Sequence, residues 1–135
     1  MSKAVVERWF RAFNSSTGPT PEELTKLVTP DVRFVERPNL VNPIGSDRDW
    51  NAMLAGIAAG RDLLAEQHYR IEGHIESTDT VVTRFQWSGT LAADAGAWPA
   101  GTQLHAWCTA HYSFHEGRIC HIEQYDCYDQ PVTPT

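Results

Sequence analysis

Asp126 stands in the run Gln124-Tyr125-Asp126-Cys127-Tyr128, whose alternation is that of a β-strand. Ile122, Asp126 and Tyr128 share one parity and therefore one face, and the apolar members mark that face as the inner one. A buried carboxylate is costly unless a cavity, water or a functional role accommodates it. Desolvation also raises its pKa towards the working pH, which general acid–base catalysis needs. The competing reading is that the strand has ended and Asp126 is solvated. Glu36 is the second carboxylate. It closes Asp31-Val32-Arg33-Phe34-Val35-Glu36 and shares a face with Phe34, a core candidate. Its competing reading is a surface residue paired with Arg33 or Arg37.

Other reactive side chains point nowhere as sharply. The histidines are His68, His74, His105, His111, His115 and His121. No H-x-x-x-H falls on a helix and no Cys–His spacing suits zinc, so no metal is expected. Cys108, Cys120 and Cys127 are odd in number and lack a C-x-x-C spacing, which reads as reduced, partly buried thiols of a cytosolic protein. A formal charge of −6 disfavours nucleic acid. No apolar stretch approaches membrane-spanning length. The N-terminus enters an amphipathic pattern directly, so no signal peptide is expected and the protein is assigned to the cytoplasm.

The elements that must hold these residues follow from periodicity. Val5, Val6, Trp9, Phe10 and Phe13 form one stripe and predict a helix over 4–14. Thr20-Pro21-Glu22-Glu23 is a capping box with proline at the first helical position; Leu24, Leu27 and Val28 form its buried side, and Pro30 is expected to close it. A short strand is predicted over 32–36. A third helix is predicted after Gly45, with Ser46 as cap, Asp47 and Asp49 favoured by the dipole, and Trp50, Met53, Leu54 and Ile57 inward, ending near Gly60. Strands follow over 66–76, 80–89, 104–114 and 119–128. Three helices and then antiparallel strands make an α+β domain, single over residues 1–135.

Register decides what the last hairpin shows to the inside. A three-residue loop would pair Phe114 with Arg118 and His111 with His121. Ala106, Cys108, Ala110, Tyr112 and Phe114 would then share a face with Ile122, Gln124, Asp126 and Tyr128. His105, Trp107, His111, Glu123 and Tyr125 would lie on the other. A two-residue loop would shift the pairing by one and bring Trp107 and His111 beside Asp126. The first register is favoured, and within it the first set is the more apolar.

The order of these pieces resembles the SnoaL-like polyketide cyclase and ketosteroid isomerase branch of the nuclear transport factor 2-like superfamily. The matching pieces are Trp9 to Asn14, Asp31 to Glu36, Gly45, Gly89-Thr90 with Pro99 to Thr102, Phe114 to Ile119, and Tyr125 to Asp129. The resemblance implies a cone-shaped domain: a curved antiparallel sheet packed on three N-terminal helices, enclosing an apolar pocket, with the outer sheet face in a homodimer. It aligns Asp126 with a catalytic carboxylate of polyketide cyclases and epoxide hydrolases, and Glu36 with the general base of ketosteroid isomerases. The oxyanion donors of the isomerases are not matched: Trp9 or Phe10 stands near one place and Ala110 at the other.

The functional expectation is a cofactor-independent acid–base enzyme, a cyclase, isomerase or dehydratase, acting on a hydrophobic oxygenated small molecule. Asp126 and Glu36 are its catalytic candidates. Trp9, Phe13, Trp50, Tyr69, Phe85, Trp87, Tyr112, Gln124 and Tyr128 are its substrate-binding candidates, with the loop from Leu91 to Gly101 as a lid or a loose connection. Epoxide hydrolysis is an alternative, with Arg84 as the central cation of an Asp–Arg–Asp set; so is a non-catalytic binding or assembly module.

Overall fold

A computed structural model describes residues 2–135. The chain runs α1 (Ser2–Asn14), α2 (Pro21–Leu27), β1 (Val28–Glu36), β2 (Ser46–Arg48), α3 (Trp50–Leu63), β3 (Leu64–Glu76), β4 (Thr80–Leu91), β5 (Gln103–His115) and β6 (Arg118–Tyr128). The strands form one sheet, open at both edges, in the order β2-β1-β6-β5-β4-β3. All neighbouring pairs are antiparallel except β1 with β6, which run parallel. That pair joins the first long strand to the last, so it sets the helical half of the chain against the hairpin half.

The apolar stripe of α1 buries Val6, Trp9 and Phe10 against Phe85, Tyr112 and Ile122 of the sheet. Each such side chain removed from water contributes roughly 1.5–3 kcal/mol. The capping box of α2 is complete: Thr20 Oγ1 accepts from the Glu23 amide at 3.2 Å, and Glu23 Oε1 accepts from the Thr20 amide at 3.1 Å. Pro30 does not close this helix. The helix stops at Leu27, and β1 starts at Val28 and runs through Pro30. The β1–β6 ladder is irregular between Val28 and Arg33, which tolerates a residue without an N–H.

The segment after Gly45 also differs from expectation. Ser46–Arg48 pairs with β1 as a short strand, so the cap of α3 is Asp49, whose carboxylate accepts from the Ala52 amide at 2.9 Å. The helix runs on to Leu63. Three residues carry too little alternation to announce a strand.

The last hairpin turns on two residues, Glu116 and Gly117, at φ 51° and 80°. A two-residue turn of this hand matches the twist of the strands. By itself it would have placed Trp107 and His111 beside Asp126. A β-bulge at Cys120 restores the parity: Phe114 pairs Ile119, Ser113 pairs His121, Tyr112 pairs Ile122 and Cys108 pairs Asp126. The expected inner face is therefore correct and the expected pairing is not. His111 faces Glu123 rather than His121. Ile119 and Ile122, three positions apart, are both fully buried, which a regular strand forbids and a bulge allows.

Candidate active site

The sheet and helices enclose two chambers with a common wall. The larger, about 460 Å³, lies under β4, β5 and β6 and includes Asp126. The smaller, about 190 Å³, lies between α1, α3 and the sheet. Glu36, Leu64, Gln67, Tyr69 and Gln124 line both. The walls are largely aromatic and aliphatic, the usual character of a small-molecule site.

Asp126 points inward because of the bulge at Cys120. Gln124 Nε2 donates to its two oxygens at 3.0 and 3.2 Å, and the buried Cys108 thiol faces it across the strand pair. Burial raises the Asp126 pKa above the ordinary carboxylate value. The Cys108 and Gln124 side chains pull it back in part, and the charge of Glu36 adds to the rise. Burial pushes up the Cys108 thiol and the Tyr69, Tyr112 and Tyr128 phenols, so these remain protonated at neutral pH.

Glu36 ends β1 and is held by the loop that follows. Its Oε2 accepts from Asn39 Nδ2 at 2.8 Å and from Asn42 Nδ2 at 3.3 Å. Asn39 is locked in turn, because its Oδ1 accepts from the amides of Val41 and Asn42 at 3.1 and 3.0 Å. The loop folds back tightly at Gly45, whose φ is +69° and where a Cβ would meet the Glu36 carbonyl oxygen at 2.6 Å. Neither neighbouring arginine takes the carboxylate: Arg33 pairs with Asp47 at 2.8 Å, and Arg37 pairs with Glu123 on the outer face.

Most of the predicted binding residues converge. Trp87 and Tyr128 line the larger chamber, Trp9, Phe13, Phe85 and Tyr112 the smaller, and Tyr69 and Gln124 both. Trp50 does not join them. It sits in the first turn of α3 beside Val28, Pro30 and Arg118, at a separate surface hollow. Gln67, which accepts the indole N–H of Trp87 at 2.9 Å, escaped the sequence reading, as did Asn39 and Asn42. The register of β3 against β4 brings Gln67 to the cavity, and the loop asparagines follow no periodicity.

The segment after β4 is a wall of the larger chamber. Ala95 and Trp98 exchange backbone hydrogen bonds at 2.8 and 3.0 Å, and Asp94 accepts from the Ala100 amide at 2.8 Å. Ala95, Gly96 and Trp98 face the cavity. Arg84, the cation that epoxide hydrolysis would require, is exposed and alternates to the opposite side of β4 from Thr83 and Phe85. Cys127, expected to be partly buried, is exposed because it pairs with Trp107 on the outer face.

A family model described as a SnoaL-like domain matches residues 6–122. The chain belongs to the SnoaL-like family. Solved structures of this shape include IdmH, a candidate polyketide cyclase from Streptomyces antibioticus, at 22% identity over 96% of this chain and 92% of that chain, with a TM-score of 0.73. A candidate polyketide cyclase from Acidithiobacillus ferrooxidans aligns at 21% identity over 91% and 85% of the two chains, with a TM-score of 0.71. A candidate SnoaL-like polyketide cyclase from Jannaschia sp. CCS1 aligns at 13% identity over 93% and 84%, with a TM-score of 0.74. At these identities the likeness is one of fold. No curated protein sequence matches this SnoaL-like chain significantly. Glu36 falls within the matched span and Asp126 just beyond it.

Proposed function

We propose that this SnoaL-like protein is a cofactor-independent acid–base enzyme, a cyclase, isomerase or dehydratase acting on a hydrophobic, oxygenated small molecule such as a polyketide. The observation that carries the reading is that Asp126 and Glu36, from distant parts of the chain, line one largely apolar cavity. The names of the similar structures, several of them candidate polyketide cyclases, favour the same chemistry.

The two carboxylates differ in a way that divides the work. Asp126 is desolvated and holds its proton to higher pH than an ordinary aspartate, which suits an acid. Glu36 lines the cavity with one oxygen held by two amides and the other without a hydrogen-bond partner among the described residues, which suits a base. On a carbonyl substrate, Glu36 would take the proton from the carbon next to the carbonyl. The C–H electron pair would become the enol double bond, and the carbonyl oxygen would take the proton of Asp126. In a cyclase the enol carbon would then attack a second carbonyl: the enol O–H would return its proton to Asp126 as the first carbonyl re-forms, the new C–C bond would close the ring, and the second carbonyl's π pair would become an alkoxide that takes the proton held by Glu36. The neutral phenols of Tyr69 and Tyr128 would offer further O–H donors to oxygen atoms in the cavity.

The test is solvent exchange. Aromatic diketones of polyketide-like size, with and without a terminal carboxylate, are incubated with the protein in deuterated water, and deuterium entering the activated carbon is followed by mass spectrometry. Catalysed exchange that Glu36→Gln abolishes supports the reading. Exchange no faster than buffer across the panel, with bound ligand detected in the same samples, favours a non-catalytic binding module.

A further inference from the structure

Arg48 is the one arginine of the cavity whose guanidinium is not engaged by the protein. It pairs with Phe34 across the β1–β2 ladder, and both side chains line the smaller chamber. Among the described residues it has no ion pair and no hydrogen bond. Arg61, at the same chamber, donates to the Pro19 carbonyl at 2.7 Å. The other arginines without partners, Arg8, Arg11, Arg70 and Arg84, are exposed to water, whereas Arg48 is half-buried.

The chain makes room for this group. Gly56 lies in the middle of α3, where glycine weakens a helix relative to alanine. A Cβ there would meet the Arg48 guanidinium at 3.0 Å at Nη1 and 3.2 Å at Cζ. The planar group therefore lies against the bare helix backbone, with its donors unspent beside an aromatic chamber formed by Trp9, Phe13 and Phe34. A guanidinium binds a planar pair of anionic oxygens in a bidentate fork, and it does so more strongly where water is partly excluded.

We propose that Arg48 is the anchor for a carboxylate on the substrate, whose apolar body fills the smaller chamber. The assignment rests on the cavity being the ligand site and adds the substrate class: a hydrophobic acid rather than its neutral ester or amide. Glu36 is the acidic group on the shared wall. It lies outside ion-pairing range of Arg48, so the substrate carboxylate would sit at the Arg48 end and the reacting carbon at the Glu36 end.

Naphthalene-2-carboxylate and naphthalene-2-carboxamide have the same skeleton and differ in charge. Titrated calorimetrically into the full chain, the carboxylate should bind about ten-fold or more tightly than the amide, the range of a charge-assisted hydrogen bond. Arg48→Met should remove that preference while leaving amide binding within about two-fold, and Arg48→Lys, which keeps charge but loses the fork, should retain part of it. Thermal melting of both variants checks that they fold. Equal binding of the two probes, or a preference that survives in Arg48→Met, overturns the assignment and leaves the cavity standing as a ligand site. Binding of neither probe at millimolar concentration overturns both.

Discussion

Asp126 and Glu36 sit in the same cavity under different constraints, and substitution should separate their roles. Asp126→Asn keeps the shape but removes the transferable proton, so turnover should fall about 10²- to 10⁴-fold, the usual contribution of a general acid or base. Its effect on stability has a defined sign. The folded pKa of Asp126 lies above the ordinary 3.8, so between these values the folded protein binds more protons than the unfolded chain. Wild-type stability therefore declines as pH rises through that window, and the Asn variant escapes the decline. The melting temperature of Asp126→Asn relative to wild type should rise as pH increases above about 4. A constant difference would contradict the desolvation described here. Asn39→Ala removes one of the two amides that hold Glu36 without touching the cavity carboxylates themselves. It should lower kcat with little change in KM, which steady-state kinetics would show. Strand parity made the two acids legible in the sequence, because a carboxylate among inward apolar residues is conspicuous. Asn39, Asn42 and Arg48 were not legible, since they lie between Glu36 and α3, where no periodicity says which way a side chain turns.

At the level of elements, the helices and long strands follow from patterns that burial enforces. The stripe of α1 and the Thr20 capping box appear as expected, and the four long strands are correct to within two residues at each end. Trp9→Ala should lower stability by about 3–5 kcal/mol, because its neighbours cannot close the resulting cavity. Chemical denaturation would measure this, and a loss below about 1 kcal/mol would contradict a packed core role for Trp9. The last hairpin misled the reading because two irregularities offset one another. A turn shorter by one residue and a strand longer by one leave the same faces inward, and neither is visible in alternation alone. Glu116 adopts a positive φ better suited to asparagine. Glu116→Asn should therefore raise stability by about 0.5 kcal/mol, read from the denaturation midpoint. Cys120 is the extra residue of the bulge: without it Ile119 would run directly into His121, Ser113 would still meet His121 and Cys108 would still meet Asp126, so deleting it should leave Asp126 facing inward.

At the scale of the whole molecule, the outer face of the sheet carries exposed aromatic side chains. Trp107 is 48% exposed and Tyr125 43% exposed on neighbouring strands, an aromatic pair of the kind found at protein interfaces. The expected outcome is a homodimer through this face. Sedimentation at micromolar concentration should give twice the chain mass for the wild type and a lighter species for Trp107→Glu; a monomeric wild type would refute it. Inside, the shared wall between the two chambers has a different consequence. A molecule anchored at Arg48 in the smaller chamber, as proposed, would have its end fixed, and Glu36 on the shared wall would meet whatever atom lies a set distance along it. Such a cavity would work as a ruler. It would select its reacting carbon by position rather than by local reactivity, so a series of substrates differing only in length should show one preferred length and a displaced product pattern on either side of it.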